Sequence, residues 1–349
     1  MKTDEAASVA ASSAPGGAQT MRAMLLGQAT ADAPGSLELV ERPVPVPGAG
    51  EVLAQVGYAG CNFADTMMWR GTYPHPKGYP LVAGLEFAGR VAAIGAGVKG
   101  IAVGDRIAAF VEEAGVFADY CIVPVERVIP IPDSVPLTTA ASLPTQALTA
   151  WHMLHTVATV RPGDKVLIHA IGGGVGLCLT QLAVAAGATV FGTIGTAGKE
   201  SRALAVGATA VVNRSERDFV EAIATAAGGH VDKIYDSTGA TILDRSFELI
   251  RPLGHIVSFG EAEGRPFPNL WERLVRKSLT FTRFHLGHID FHSEAWTRGV
   301  AEVLGSIRKG ELDIHVEQVF PLEDTQAMFE RLESRQVSGK LLLSINPGV

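Results

Sequence analysis

Residues 166–198 contain no Asp, Glu, Lys or Arg, and eight glycines interrupt them. An uncharged run of this length has to be buried, in lipid or beneath other parts of the same protein. The glycines decide between the two. They divide the run into a β-rich piece (166–170), a glycine cluster (172–176), a helical stretch to about 186 and a second β-rich piece (188–193). That is the strand, turn, helix and strand of a water-soluble protein, with no membrane partner. Further β-rich runs follow at 209–213, 231–236, 255–260 and 279–284, each separated from the last by a helical stretch. Six such strands predict an α/β fold with a six-stranded, doubly wound parallel sheet of Rossmann type. The strands are apolar on both faces, as in a sheet covered by helices on each side, and Gly187, Gly207 and Gly254 stand where helices are expected to hand over to strands.

Residues 22–140 follow a different pattern, with short alternating runs such as 51–60 and 89–95 broken by Pro43, Pro45, Pro47 and many glycines, which predicts a mostly antiparallel β domain. Beyond Phe284 lie a helical stretch (296–309), a strand (316–320), a second helix (324–334) and a last strand (340–345). These exceed what the parallel sheet needs, so the C-terminus is expected to return to the first domain. A chain of 349 residues is too long for one ordinary core and fits two. Residues 1–21 are polar and small, without the apolar run of a secretory signal; they predict a disordered leader and a cytoplasmic protein. With 29 Lys+Arg against 36 Asp+Glu the net charge is −7 and the cations are scattered, which argues against nucleic acid as a partner. Three distant cysteines, Cys61, Cys121 and Cys178, exclude a disulfide framework or a cysteine-zinc site.

The glycine cluster reads Ala170-Ile171-Gly172-Gly173-Gly174-Val175-Gly176 and leads from a strand into a helix. Glycines there let the backbone approach a pyrophosphate, whose charge is met by free N–H groups at the helix start. The strict G-x-G-x-x-G spacing fails at Ile171, but position inside a βαβ unit supports a dinucleotide site. An acid at the end of the next strand would hold a ribose 2′-hydroxyl and repel a 2′-phosphate. Here the chain reads Gly192-Thr193-Ile194-Gly195-Thr196, followed by Lys199, with Arg214 after the third strand. NADP(H) is therefore the expected cofactor, although Glu200 beside Lys199 leaves open that these are ordinary surface cations. No GK[ST] sequence occurs, so a Walker A loop is excluded.

Residues 60–65 (GCNFAD), 70–74 (RGTYP), 84–89 (GLEFAG), 170–176, 235–237 (YDS) and 333–335 (ESR) together resemble the medium-chain dehydrogenase/reductase superfamily, and within it the zinc-free, zeta-crystallin-like quinone oxidoreductases. The resemblance implies a GroES-like catalytic domain from 22–146 plus 287–349 and a Rossmann NADP-binding domain at 147–286, with the active site between them. Zinc-dependent relatives carry a ligand cysteine where Asn62 stands and a ligand histidine where Leu85 stands, so hydride transfer without a metal is implied. The resemblance also places Thr149, Gly173, Gly174, Val175, Gly195, Lys199, Arg214, Ser237, Phe259, Gly260 and Lys340 near NADPH, with Arg214 replacing a frequent tyrosine. Asn62 is the candidate amide donor to the carbonyl oxygen of the acceptor or to the nicotinamide, and Tyr73 the candidate hydroxyl that donates a hydrogen bond or proton, with a turn-stabilising Asn and a core Tyr as the alternatives, while Met67 replaces a second tyrosine found in some relatives. Met67, Met68 and Trp69 are either an apolar pocket wall or core.

The metal question also has a local answer. His285, His288 and His292 would share a helix face, but Gly287 and the preceding strand disfavour a continuous helix; His152 and His155 belong to an expected helix linking the domains. Cys61 either lines the cleft or is a small buried thiol, and without a GxSxG elbow nucleophilic catalysis has no support. The expected function is NADPH-dependent reduction of a quinone. Reduction of an enone or alkenal double bond is the alternative, followed by a non-enzymatic cofactor-binding role. Leu279, Phe281 and Phe284 at the last strand predict a homodimer through that edge.

Overall fold

The computed structural model describes residues 19–73, 78–264 and 269–349. Most of the expected leader lies outside these residues, as does Pro74, and the last of its residues correct its boundary. Thr20 and Met21 already pair with Pro43 and Arg42, so the first strand, β1 (Thr20–Leu26), begins inside it.

Strand β1 joins β2 (Leu37–Pro43) and β4 (Leu81–Val82) in a small antiparallel sheet. A seven-stranded sheet is centred on β3 (Glu51–Cys61) and β5 (Glu86–Ile94), which continue through β6 (Arg106–Phe110) to β8 (Ile129–Pro130); β7 (Tyr120–Pro124) also pairs with β3. The parallel sheet contains β9 (Lys165–His169), β10 (Thr189–Ile194), β11 (Ala210–Asn213), β12 (Val231–Asp236), β13 (Ile250–Ser258) and β14 (Thr280–Arg283), in the order β11-β10-β9-β12-β13-β14. This order reverses direction between β9 and β12. The crevice at the carboxyl ends of those two strands is where open α/β sheets bind ligands. Finally β15 (Val316–Pro321) and β16 (Lys340–Ser344) return to the seven-stranded sheet, β16 antiparallel to β3 with Leu341 opposite Cys61.

Local chemistry accounts for the elements. The amphipathic helix Glu294–Lys309 starts where Ser293 Oγ accepts the Trp296 N–H at 3.1 Å, and stops at Gly310 with φ 72° after two cations that suit its negative end. Gly187 and Gly207 take positive φ after their helices, as expected. Gly254 does not. It lies within β13, Leu253 carries the positive φ of 60°, and a Cβ at 254 would come within 2.5 Å of the Ile250 side chain. Its glycine serves close packing, not a helix end.

One apolar core runs from the antiparallel sheet through Trp151 and Leu154 to the face of β9. A second, built on Leu167, Ile234 and Ile256, lies under the helices on the other face. The linking segment is a helix, Leu148–His152, flanked by wider turns, and His152 stacks on Trp296 at 5.9 Å as core. Phe284 departs from the expected apolar edge: it is buried and faces the interior, while Phe281 stacks on Phe247. Among the described residues no helix is long and apolar enough to cross a membrane.

Candidate active site

A cleft of about 970 Å³ opens at the switch point, walled by both sheets. Its floor is the turn after β9. Ala170 takes φ 52° to leave the strand, and the helix Gly174–Ala185 follows at once, its first bond running from Leu177 N–H to Gly173 O at 2.9 Å. Gly173 N–H is used within the turn, on the Ala170 carbonyl at 2.9 Å, and the N–H groups of Gly174, Val175 and Gly176 stand at the open, positive end of the helix. A Cβ at Gly176 would stand 2.7 Å from the Ala170 carbonyl, so only glycine lets the helix pack this close to the strand. The second wall is the turn after β12, held by Asp236, whose carboxylate accepts Gly239 N–H at 2.8 Å and the Thr238 hydroxyl at 2.5 Å; this presents Ser237 and Thr238 to the cleft.

At one end the cleft is cationic. Lys199, Arg214 and Arg335 all line it, and β10 ends at Ile194 with no acid at its tip. Glu200 does not neutralise Lys199; it caps Gly198 N–H at 2.8 Å. Burial, then the repulsion of Arg331 and Arg335, lowers the Lys199 pKa against the opposing pull of Glu317. Arg214 and Arg335 share Glu263, at 3.1 and 3.4 Å. Arg335 belongs to the ESR segment, but sequence alone gave no reason to place it beside Lys199.

The opposite end mixes apolar side chains with the charged Glu112 and Arg283 and holds two neutral donors. Asn62 caps the helix Phe63–Trp69, and its backbone N–H donates to Asp65 Oδ2 at 2.8 Å. Lys340 Nζ donates to Asn62 Oδ1 at 2.8 Å. An ammonium has no lone pair, so it must face the amide oxygen; that leaves Nδ2, which is buried and without a partner, as the unused donor of a cleft residue. Lys340 also pairs with Glu86, and the Thr145 hydroxyl lies against both Glu86 and Asn62 Oδ1. Burial pushes Asp65 up to about 7. Across the cleft, the Tyr73 hydroxyl lies 3.0 Å from His285 Nε2.

Of the expected site residues, Asn62, Tyr73, Thr149, Gly173, Gly174, Val175, Gly195, Lys199, Arg214, Ser237, Phe259 and Gly260 line this one cleft. Lys340 does not. Its side chain is fully buried behind Asn62, because its charge is satisfied by Glu86 rather than by anything in the cleft. Met67 faces the cleft, whereas Met68 and Trp69 are core, Trp69 donating to Gly35 O at 2.9 Å. Cys61 lines the cleft, but burial holds its thiol protonated, well above the ordinary range. His285 caps a short turn, Leu286–His288, that ends on His288, so the two do not share a longer helix face with His292. Among the described residues no group of three or more His, Cys, Asp or Glu is placed to hold a metal ion.

Two family descriptions match the chain: a zinc-binding dehydrogenase family over residues 174–304 and the alcohol dehydrogenase GroES-like domain over 48–133. Quinone oxidoreductase 1 of Escherichia coli is 35% identical over 315 residues, covering 89% of this chain and 96% of the relative. The chain belongs to the quinone oxidoreductase family of the medium-chain dehydrogenase/reductases. It is an oxidoreductase. A 2-haloacrylate reductase from a Burkholderia species is 34% identical over 87% of this chain and 93% of its own. The structure of E. coli quinone oxidoreductase complexed with NADPH superposes with a TM-score of 0.87 at 33% identity, covering 93% of this chain and 99% of that one.

Proposed function

We propose that this enzyme uses NADPH to reduce quinones, without zinc. The observation that carries the reading is that one cleft brings together three cations, Lys199, Arg214 and Arg335, at one end and two neutral donors, Asn62 and Tyr73, beside the apolar Met67 and Phe110 at the other. In this reading residues 22–146 and 287–349 form the catalytic domain and 147–286 the NADP-binding domain. The residues present fit the cofactor: a glycine turn at an open helix end suits the pyrophosphate, the three cations suit a 2′-phosphate, and the partnerless Asn62 Nδ2 suits a carbonyl oxygen.

Bound NADPH supplies a hydride from its dihydronicotinamide ring. Asn62 and Tyr73 orient the acceptor and stabilise the negative charge that develops on its oxygen. The apolar wall of Met67 and Phe110 excludes water and suits a flat ring. Zinc does not fit. Asn62 and Leu85 stand at the ligand positions implied by zinc-dependent relatives, and the Lys340 ammonium already occupies the polar space between Asn62 and Glu86. A quinone has no need of a Lewis acid, because its own electron affinity replaces the several kcal/mol, on the order of, that a metal gives an ordinary ketone.

Conjugated double-bond reduction is the second reading, favoured by the Tyr73–His285 contact and in keeping with the 2-haloacrylate reductase among the relatives. Initial rates of NADPH oxidation with ortho- and para-quinones, cyclic enones, simple aldehydes and alcohols test both. Quinones are expected to give the largest kcat/KM; turnover of enones alone replaces the first reading by the second. Activity lost to a chelator and restored by stoichiometric zinc refutes the metal-free part. We also propose a homodimer through β14, which ends the parallel sheet with an open edge beside the exposed Trp271 and Val275.

A further inference from the structure

Tyr73 and His285 are 212 residues apart in the chain, yet their side chains meet at 3.0 Å on the cleft wall. The direction of the hydrogen bond is set on the far side of the imidazole. Gly287 N–H donates to His285 Nδ1 at 3.2 Å, which calls for a lone pair on Nδ1, and the Glu112 carboxylate stands 3.8 Å from that nitrogen, beyond hydrogen-bond reach. Burial, with the added repulsion of His288 and Arg283, lowers the imidazole pKa against the pull of Glu112, and the ring is neutral at neutral pH. A neutral ring with its lone pair on Nδ1 carries its hydrogen on Nε2. That hydrogen points at the Tyr73 oxygen. The hydroxyl's own hydrogen is then free for another acceptor, and the cleft is where the residue faces. Phe110 packs edge-on against the imidazole at 6.5 Å and helps fix its plane.

We infer that His285 is a positioning residue that makes Tyr73 the directed acid of this cleft toward the conjugated acceptors of the second reading above. The inference rests on the NADPH-dependent reductase reading above. In the step it serves, a hydride with its electron pair bonds to the β-carbon of the acceptor, and the carbon–carbon π pair moves through the conjugated system onto the carbonyl oxygen. The Tyr73 proton bonds to that oxygen, and the O–H electron pair stays on Tyr73 as a phenolate. His285 Nε2–H stabilises that phenolate until water returns a proton, and the enol released becomes the saturated ketone in water. NADPH is oxidised by two electrons and the acceptor gains one hydride and one proton. A reduced quinone can take its proton from water, so it uses the pair to stabilise charge but not to deliver a proton.

Four variants separate positioning from structural support: His285→Leu, which removes the donor; His285→Gln, which keeps an N–H near the Nε2 position; Tyr73→Phe; and Tyr73→Phe with His285→Leu. The readouts are initial rates with 2-cyclohexenone and with an ortho-quinone, and NADPH binding by fluorescence. His285→Leu is expected to lower kcat on the enone by roughly 10- to 100-fold, within the range of a general acid. His285→Gln is expected to recover most of that. In the Tyr73→Phe background the leucine is expected to add nothing, NADPH affinity is expected to change less than about threefold, and in every variant the loss on the quinone is expected to be smaller than the loss on the enone. Nitrogen-15 NMR of histidine-labelled enzyme, with His285 assigned by difference, gives a readout independent of turnover: hydrogen on Nε2, lone pair on Nδ1. The opposite tautomer, additive losses in the double variant, or equal losses on both acceptors overturns the inference. A wild-type enzyme that oxidises NADPH with no acceptor of either class overturns the reductase reading instead.

Discussion

Replacing Lys340 by Met removes the cation from a pair in which both side chains are fully buried. Glu86 is left with Thr145, whose backbone N–H donates to it at 2.9 Å. A buried charge that loses its partner costs about 3–5 kcal/mol. That is a large part of the roughly 5–15 kcal/mol by which a folded domain is stable. At roughly 2–4 °C per kcal/mol the melting temperature falls by roughly 6–20 °C. Adding Glu86→Gln removes the stranded charge and keeps an acceptor for Thr145 N–H, so the double variant is expected to regain most of the loss. Activity separates the second role of Lys340. With the ammonium gone, the Thr145 hydroxyl can accept as well as donate, so nothing obliges Asn62 to present its oxygen inward, and the amide is free to turn over and donate Nδ2 to Thr145 or to the side-chain oxygen at position 86. The double variant should therefore be stable yet slower in kcat by about tenfold, the value of roughly 1.4 kcal/mol of lost orientation. Thermal unfolding followed by tryptophan fluorescence, with NADPH-dependent turnover on the same samples, gives both quantities. A single variant as stable as wild type, or a double variant no more stable than the single, refutes the charge argument; full activity in the double variant refutes the positioning of Asn62.

Lys199→Ala should raise KM for NADPH by roughly tenfold or more and leave KM for NADH nearly unchanged, since a charge-assisted bond to phosphate is worth about 1.5–3 kcal/mol; equal effects on the two cofactors count against a 2′-phosphate at the cationic end. Asp65, raised to about 7 by burial, keeps a proton in the folded state that the unfolded chain releases near about 3.9. The folded state binds more protons across that window, so stability falls as pH rises from about 4 to 7, by at most about 4 kcal/mol. Asp65→Asn should flatten that slope in urea midpoints taken at several pH values, and an unchanged slope would show that another group causes it. Light scattering at micromolar concentration should give the mass of a dimer, with Trp271→Asp together with Val275→Asp shifting it toward the monomer; a monomeric wild type refutes the β14 interface.

The parallel sheet, its strand count and the glycine turn were legible because they rest on local rules. A buried strand must be apolar on both faces, and a helix that starts hard against a strand needs glycine, as Gly176 shows against Ala170. Those rules act over a few residues and leave their mark on the sequence directly. The same holds for the missing acid at Ile194 and for Lys199 in the following loop. Gly254 shows the limit of local reading. Its glycine answers to the Ile250 side chain inside β13 rather than to a helix end, and a single letter does not distinguish the two.

Tertiary structure alone decided which polar groups meet. Lys340 reaches Asn62 across 278 residues, and Tyr73 reaches His285 across 212. Arg335 joins Lys199 and Arg214 on one wall only because β15 and β16 return to the antiparallel sheet. From the sequence Lys340 could be weighed only as a cofactor contact, and His285 only as a disfavoured metal ligand or an ordinary solvated or core-packed histidine, since both residue types serve many ends. The physical reason is that a charge or a hydrogen-bond donor has no periodicity to read. Its partner is whichever group the packing of the two sheets brings within 3 Å, on the order of, and water must be removed from both before the contact matters.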